Sequence, residues 1–106
     1  MTSIHEALAL LDKLRAVDAD MPMAQAYALL LIARDEGLSL KELATRADIG
    51  MASASRYVSA FSVPSAEGRK GLGLVVAKED PFERRKKIIS LTQRGRTLIA
   101  KILGGK

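Results

Sequence analysis

Apolar side chains recur along most of this chain at the spacing of a helix, and over one stretch in its second half at the spacing of a strand. Over residues 3–18, Ile4, Ala7, Leu8, Leu11 and Leu14 form one helical stripe. Leu10 and Val17 widen that stripe beyond what one small core needs, so this helix is expected to face its own core on one side and a partner on the other. A second helix is predicted to start at Pro22, where a missing N–H costs nothing, and to close at Gly37. It is apolar on most faces through Ala26, Leu29, Leu30 and Ala33, which marks it as the central buried helix. Ser39-Leu40-Lys41-Glu42 has the form of a capping box and opens a short helix with Leu40, Leu43, Ala44 and Ala47 on one face. After Asp48-Ile49-Gly50, helical spacing resumes from Met51 to Phe61, with Ala54, Tyr57, Val58 and Phe61 facing inward.

The pattern breaks between Ser62 and Gly73, where Pro64, Gly68, Gly71 and Gly73 predict a loop. Leu72 to Ala77 alternates and suits a strand, Lys78 to Lys87 is a charged turn, and Ile88–Leu91 is a second strand. Thr92 can cap a last helix, running to residue 103, that buries Leu98, Ile99, Ile102 and Leu103. The expected fold is mainly α with a small antiparallel β-hairpin: four helices, a strand, a basic hairpin tip, a strand and a fifth helix. Residues 39–61 form a helix-turn-helix and residues 72–91 the hairpin, all in a single domain spanning 1–106.

Composition narrows the function. With 106 residues the chain holds one domain. It has no cysteine, which excludes disulfides, Cys-ligated zinc and thiol redox chemistry. The longest apolar run, Ala28–Ala33, is too short for a bilayer, and no secretory leader pattern opens the chain, so a cytoplasmic protein with no membrane partner is expected. Charge is polarised. Residues 1–50 carry five basic and eight acidic side chains, net −3, whereas residues 51–106 carry twelve and four, net +8, within a total of +5. A basic half of this kind offers a face to a polyanion.

The helix-turn-helix and the hairpin place the chemistry. A helix-turn-helix projects its second helix from the surface, and Gly50 is expected to supply the unusual backbone angles of the turn. The outward face of that helix includes Ser53, Ser55, Arg56 and Ser59. Small polar side chains let a backbone approach the floor of the major groove, and Arg56 can make a bidentate contact to guanine O6 and N7. In the hairpin, Arg84, Arg85, Lys86 and Lys87 are consecutive cations that would meet concentrated negative potential in a minor groove, and Glu83 could hold Arg85 in position. A solvated helix face and a charge run guarding a sheet edge would have the same composition.

From Leu38 to Leu98 the chain resembles the MarR family of winged-helix regulators. The most specific stretch is EDPFERRKKIISLTQRG, Glu79 to Gly95, set against a family pattern of D-P-x-D-R-R, a short apolar strand and L-T-x-x-G. Asp80, Pro81, Arg84, Arg85, Leu91, Thr92 and Gly95 fall in place, and Glu83 stands where the family has Asp. The stretch SLKELATRADIGMASASRYVSAF is similar to the family's helix-turn-helix. The resemblance implies that Ser53, Ser55 and Arg56 meet the major groove, and that Arg85 enters the minor groove beside Arg84, Lys86 and Lys87. It implies a homodimer, through residues 3–18 and 92–103, on a pseudo-palindromic double-stranded DNA operator, acting as a repressor. The loop Ser62–Gly71 is longer than the family's link, with Arg69 and Lys70 as candidates for further phosphate contacts and a simply mobile loop as the alternative. Both end helices are shorter than the family's, which leaves dimer geometry open and gives no basis for assigning a small-molecule effector.

Catalysis is not expected. His5 is the single histidine and has no patterned acidic partner, and Ser53, Ser55 and Ser59 have no base nearby in the sequence. Gly68–Gly73 lacks the spacing of a phosphate loop. No cofactor or metal is expected. A winged-helix protein-interaction module and a non-specific architectural nucleic-acid binder remain as alternatives.

Overall fold

The computed structural model describes residues 3–62, 71–83 and 86–104. Arg69, Lys70, Arg84 and Arg85 lie outside the described residues, as does the proposed Glu83–Arg85 pairing. The described elements run α1 (Ile4–Val17), α2 (Met23–Arg34), β1 (Leu38–Ser39), α3 (Leu40–Ala47), α4 (Met51–Phe61), β2 (Val75–Glu79), β3 (Lys87–Leu91) and α5 (Gln93–Ile102). This is the expected mainly helical, winged order with one strand, β1, added.

Side-chain caps set three of the helix starts. The Ser39 hydroxyl accepts the Glu42 N–H at 3.1 Å, and the Glu42 carboxylate accepts the Ser39 N–H at 3.2 Å, the box anticipated from sequence. Ser3 and Glu6 make the same reciprocal pair at the start of α1. Thr92 accepts the Gly95 N–H at 3.0 Å and opens α5. Pro22 sits one residue before α2, where its extended backbone is no obstacle.

The core is centred on α2, as its nearly uniform apolarity required. Leu29 and Ile32 are fully buried with Leu43 of α3, Phe61 of α4, Val75 of β2 and Ile89 of β3. A three-stranded antiparallel sheet in the order β1-β3-β2 closes one side. Leu38 pairs with Ile89 and Ser39 with Ile88. Two residues carry no readable period, so β1 left no signal in the sequence. It forms because Gly37, at φ 95°, turns the chain after α2 and donates its N–H to the Ile89 carbonyl at 2.9 Å.

The first hairpin strand lies later than predicted, at Val75–Glu79 and not Leu72–Ala77. The backbone before it is already committed to α4. Leu72 N–H bonds to the Ala60 carbonyl, Gly73 to Ser62 and Leu74 to Phe61, at 3.1, 3.0 and 2.7 Å. Cross-strand pairs Lys78↔Ile88 and Glu79↔Lys87 then extend the ladder into the segment expected to be turn.

Burial of the outer helices also departs from expectation. Of the α1 stripe only Leu14 is buried, while Ile4, Leu8 and Leu11 are 81%, 57% and 50% exposed. Ile99 and Ile102 of α5 are buried, Leu98 is half-buried, and Leu103 is exposed. In one copy of the chain Ile4, Leu8, Leu11 and Leu103 are therefore left exposed to solvent.

Candidate nucleic-acid interface

The helix-turn-helix is α3, the turn Asp48-Ile49-Gly50, and α4. Its left-handed residue is Asp48, at φ 55° and ψ 50°, and not Gly50. Asp tolerates this conformation better than most side chains, and Ile49 donates to the Ala44 carbonyl at 3.0 Å to close α3. Gly50, at φ −70° and ψ 158°, is ordinary extended backbone serving as the N-cap of α4. Leu43 and Ala44 on α3 and Ala54, Val58 and Phe61 on α4 are buried and hold the crossing.

That burial fixes which face of α4 is presented. Ser55, Arg56 and Ser59 are exposed, as expected, while Ser53 is half-buried at the edge of the same face. Tyr57 is also half-buried, where the pattern placed it inward. It forms a platform under Arg56, whose guanidinium carbon lies 5.7 Å from the ring centroid. Arg56 makes no ion pair among the described residues, so its donors face solvent.

The hairpin is fastened at both ends of its length. At its base, Ser62 at the end of α4 bridges Val75 of β2. Thr92 donates its hydroxyl to the Gly73 carbonyl at 2.7 Å and its N–H to the Leu74 carbonyl at 2.9 Å. Gly95 lies so close to this segment that a Cβ there would sit 2.1 Å from the Leu74 carbonyl oxygen. The Thr92–Gly95 spacing thus has a mechanical cause: the threonine clamps α5 onto the strand entry and the glycine allows the contact. Farther out, Lys86 lies beside α3, its Nζ 3.5 Å from Glu42 Oε1. Lys86 is half-buried in this position, whereas Lys87 is exposed.

At the tip, the Asp80 carboxylate accepts the Phe82 N–H at 2.8 Å. Asp80 N–H bonds to the Lys86 carbonyl at 2.8 Å, and Lys86 N–H to the Glu83 carbonyl at 2.9 Å. The Asp and Pro of the motif thus build the turn.

Two acidic groups brace the assembly. Asp35 accepts from Arg34 Nη2 at 2.7 Å and from Arg46 Nη1 at 3.0 Å, joining the end of α2 to α3. The Arg34 hydrogen bond, helped by Arg46, holds the Asp35 carboxyl below its ordinary value. Glu42 is also lowered, first by the Ser39 backbone N–H, then by the Ser39 side chain, with the Lys86 charge adding to it. Glu36 accepts the Leu91 N–H and Arg96 Nη2, both at 2.9 Å, and so ties α2 to β3 and α5.

The structure adds two residues that the sequence pattern did not single out. Lys41 lines a groove with Glu42, Glu83, Lys86 and Lys87 where the hairpin lies against α3, a juxtaposition invisible until the hairpin is placed. Phe82 stands at the hairpin tip, 98% exposed, and an aromatic outside any periodic segment gives no pattern to read. Among the described residues no group of three or more His, Asp or Glu could hold a metal ion. No helix of the described residues is long and apolar enough to cross a membrane.

No family model matches the chain, and no curated protein matches it. Solved structures do. RV1404 from Mycobacterium tuberculosis superimposes with a TM-score of 0.75 at 20% identity, over 92% of this chain and 61% of its own. The transcriptional repressor CouR, bound to a 23-mer DNA duplex, gives 0.69 at 26% identity, over 93% and 63%. A MarR transcriptional regulator from Methanosarcina mazei Go1 gives 0.68 at 17% identity, over 92% and 63%. The chain spans about three fifths of the length of these proteins. Its fold is the winged helix-turn-helix of MarR-type regulators.

Proposed function

We propose that this chain is a sequence-specific, double-stranded DNA-binding transcriptional regulator that acts as a homodimer and represses by occupying its operator. One observation carries the proposal. The exposed polar face of α4, with Ser55, Arg56 and Ser59, belongs to a helix-turn-helix whose first helix is joined to a basic hairpin through Lys86 and Glu42. The likeness to CouR, captured on a DNA duplex, supports the same use of this fold here.

In this account α4 enters the major groove. The small serines, including half-buried Ser53, let the helix approach base edges, and Arg56 presents its fork to guanine. Arg85 enters the flanking minor groove, and Arg84, Lys86, Lys87, Arg69 and Lys70 neutralise phosphates. Lys41, on the first turn of α3 beside Lys86, is suited to the same backbone. Dimerisation uses α1 and α5, whose exposed Ile4, Leu8, Leu11 and Leu103 gain burial against a second copy. A two-fold protein sets half-sites about one helical turn apart, roughly 10 base pairs centre to centre, so the operator is a pseudo-palindrome. The chain works in the cytoplasm, without cofactor or catalysis.

Selection of binding sites from random duplexes at physiological salt tests this. Enrichment of a two-fold sequence with that half-site spacing is expected. A pool that stays random, or binding to all duplexes alike, contradicts it.

A further inference from the structure

Among the described residues Phe82 is the most exposed of the large apolar side chains, at 98%, and it stands at the apex of a turn that is built to hold it. Its own N–H is bound by the Asp80 carboxylate at 2.8 Å. Pro81 fixes the backbone before it. Glu83 N–H bonds to the Asp80 carbonyl at 3.3 Å, and the Asp80–Lys86 bond closes the turn behind it at 2.8 Å. An aromatic ring left wholly in water on a hydrogen-bonded turn contributes no burial to the free protein and is held ready to gain it against a partner.

The surroundings choose the partner. Lys78 and Lys87 are exposed on the two strands leading to the tip, and Arg84 and Arg85 follow Phe82 closely in sequence. From Lys78 to Lys87 the sequence carries five basic and three acidic side chains, net +2. A finger of that charge ending in one aromatic suits a duplex, where a single apolar wedge between base pairs is enough. A lipid surface needs a broader apolar face than one ring provides, and the tip neighbours Pro81 and Glu83 do not extend it.

Resting on the DNA-binding reading above, we propose that Phe82 is a wedge that enters the minor groove with the hairpin and partly unstacks one base step. The ring reads deformability and not hydrogen-bonding groups. The favoured steps are pyrimidine–purine steps such as TA, which open most easily, at the outer flank of each half-site. Phe82 thereby adds a specificity determinant at a position where no base edge is hydrogen-bonded.

The test compares the wild-type chain with Phe82→Ala and Phe82→Leu on duplexes differing only at that flanking step, reading affinity, its salt slope and DNA bending by end-to-end fluorescence transfer. Phe82→Ala is expected to bind about tenfold more weakly, to lose the bend and to lose the preference for TA, with the salt slope unchanged because no charge is removed. Phe82→Leu, which keeps an apolar wedge, is expected to restore most of the bend. If wild type binds its duplex and Phe82→Ala matches it in affinity, bend and flank preference, the wedge is overturned while the DNA-binding reading stands. If wild type binds no duplex, both are overturned. Loss of binding to anionic vesicles in Phe82→Ala, with duplex binding intact, assigns the ring to a lipid surface and overturns the wedge.

Discussion

Lys86 Nζ and Glu42 Oε1 lie 3.5 Å apart, and that same carboxylate oxygen accepts the Ser39 N–H at 3.2 Å. One atom therefore serves as the helix cap of α3 and as the anchor for the hairpin. A carboxylate that the local helix already needs thus adds one contact to the strand pairing and the Thr92 bonds that position the wing against the helix-turn-helix.

This arrangement leads us to expect stability that depends on acid. Asp35 and Glu42 are both held below their ordinary values of 3.8 and 4.5 by hydrogen bonds that favour the charged form. A carboxyl lowered in the folded state contributes stability above its ordinary value and loses it as pH falls through the folded one. Melting temperature is expected to hold steady above pH 5 or so and to fall below about pH 4. The double variant Asp35→Asn, Glu42→Gln should show a shallower acid decline. An unchanged decline would place the acid sensitivity elsewhere.

Two glycines should respond in opposite directions. Gly95→Ala drives a methyl to 2.1 Å from the Leu74 carbonyl oxygen, so α5 must shift off the strand entry. A loss of about 2–4 kcal/mol is expected in urea denaturation. At Gly50 none of the described residues comes within 4 Å of where a Cβ would stand, and the backbone is that of an ordinary N-cap. Gly50→Ser should stabilise by about 0.5–1 kcal/mol by lowering unfolded-state entropy and adding a side-chain acceptor. Destabilisation by Gly50→Ser would mean that the turn requires glycine after all.

Leu11 is half-exposed in the single chain, so Leu11→Asp should leave the fold intact by circular dichroism. In a dimer interface the new carboxylate would be buried without a partner, and sedimentation should report monomer. A folded variant that still dimerises would move the interface off α1.

Arg56 projects its guanidinium over Tyr57 and makes no ion pair among the described residues. Arg56→Ala is expected to weaken operator binding by about 1–3 kcal/mol and to relax preference at one base pair. Arg56→Lys should not restore that preference, because lysine lacks the two-pronged fork. Equal discrimination by wild type and Arg56→Ala in competition binding would remove Arg56 from base recognition.

Helix order was legible because Leu29, Leu43, Val58 and Phe61 sit at helical spacing and are buried, although in α2 Ala26, Leu30 and Ala33 are only half-buried and Ala28, Leu31 and Ile32 fill the core beside Leu29. The capping box at Ser39 and the cap at Thr92 were legible for the same local reason. What escaped depended on contacts distant in sequence. Strand β1 exists through Ile89, some fifty residues on, and the start of β2 is displaced by bonds to Ala60, Phe61 and Ser62. Glycine tolerates a left-handed turn conformation best, which points from sequence to Gly50. Asp48 takes it instead, since its N–H closes α3 and leaves Gly50 to cap α4. Of the ten candidate residues, the exposure of Ser55, Arg56 and Ser59 followed from helix phase alone, whereas the half-burial of Ser53 and the half-buried, Glu42-bound state of Lys86 needed the packed structure.

Chemical footprinting of the bound operator, probing guanine N7 in the major groove and sugar hydrogens in the minor groove, tests the joint use of helix and hairpin most directly. The account predicts protected guanines in two successive major grooves about 10 base pairs apart, each flanked outward by a protected minor groove. Protection confined to one groove, or a minor-groove pattern that survives Arg85→Ala unchanged, would contradict it.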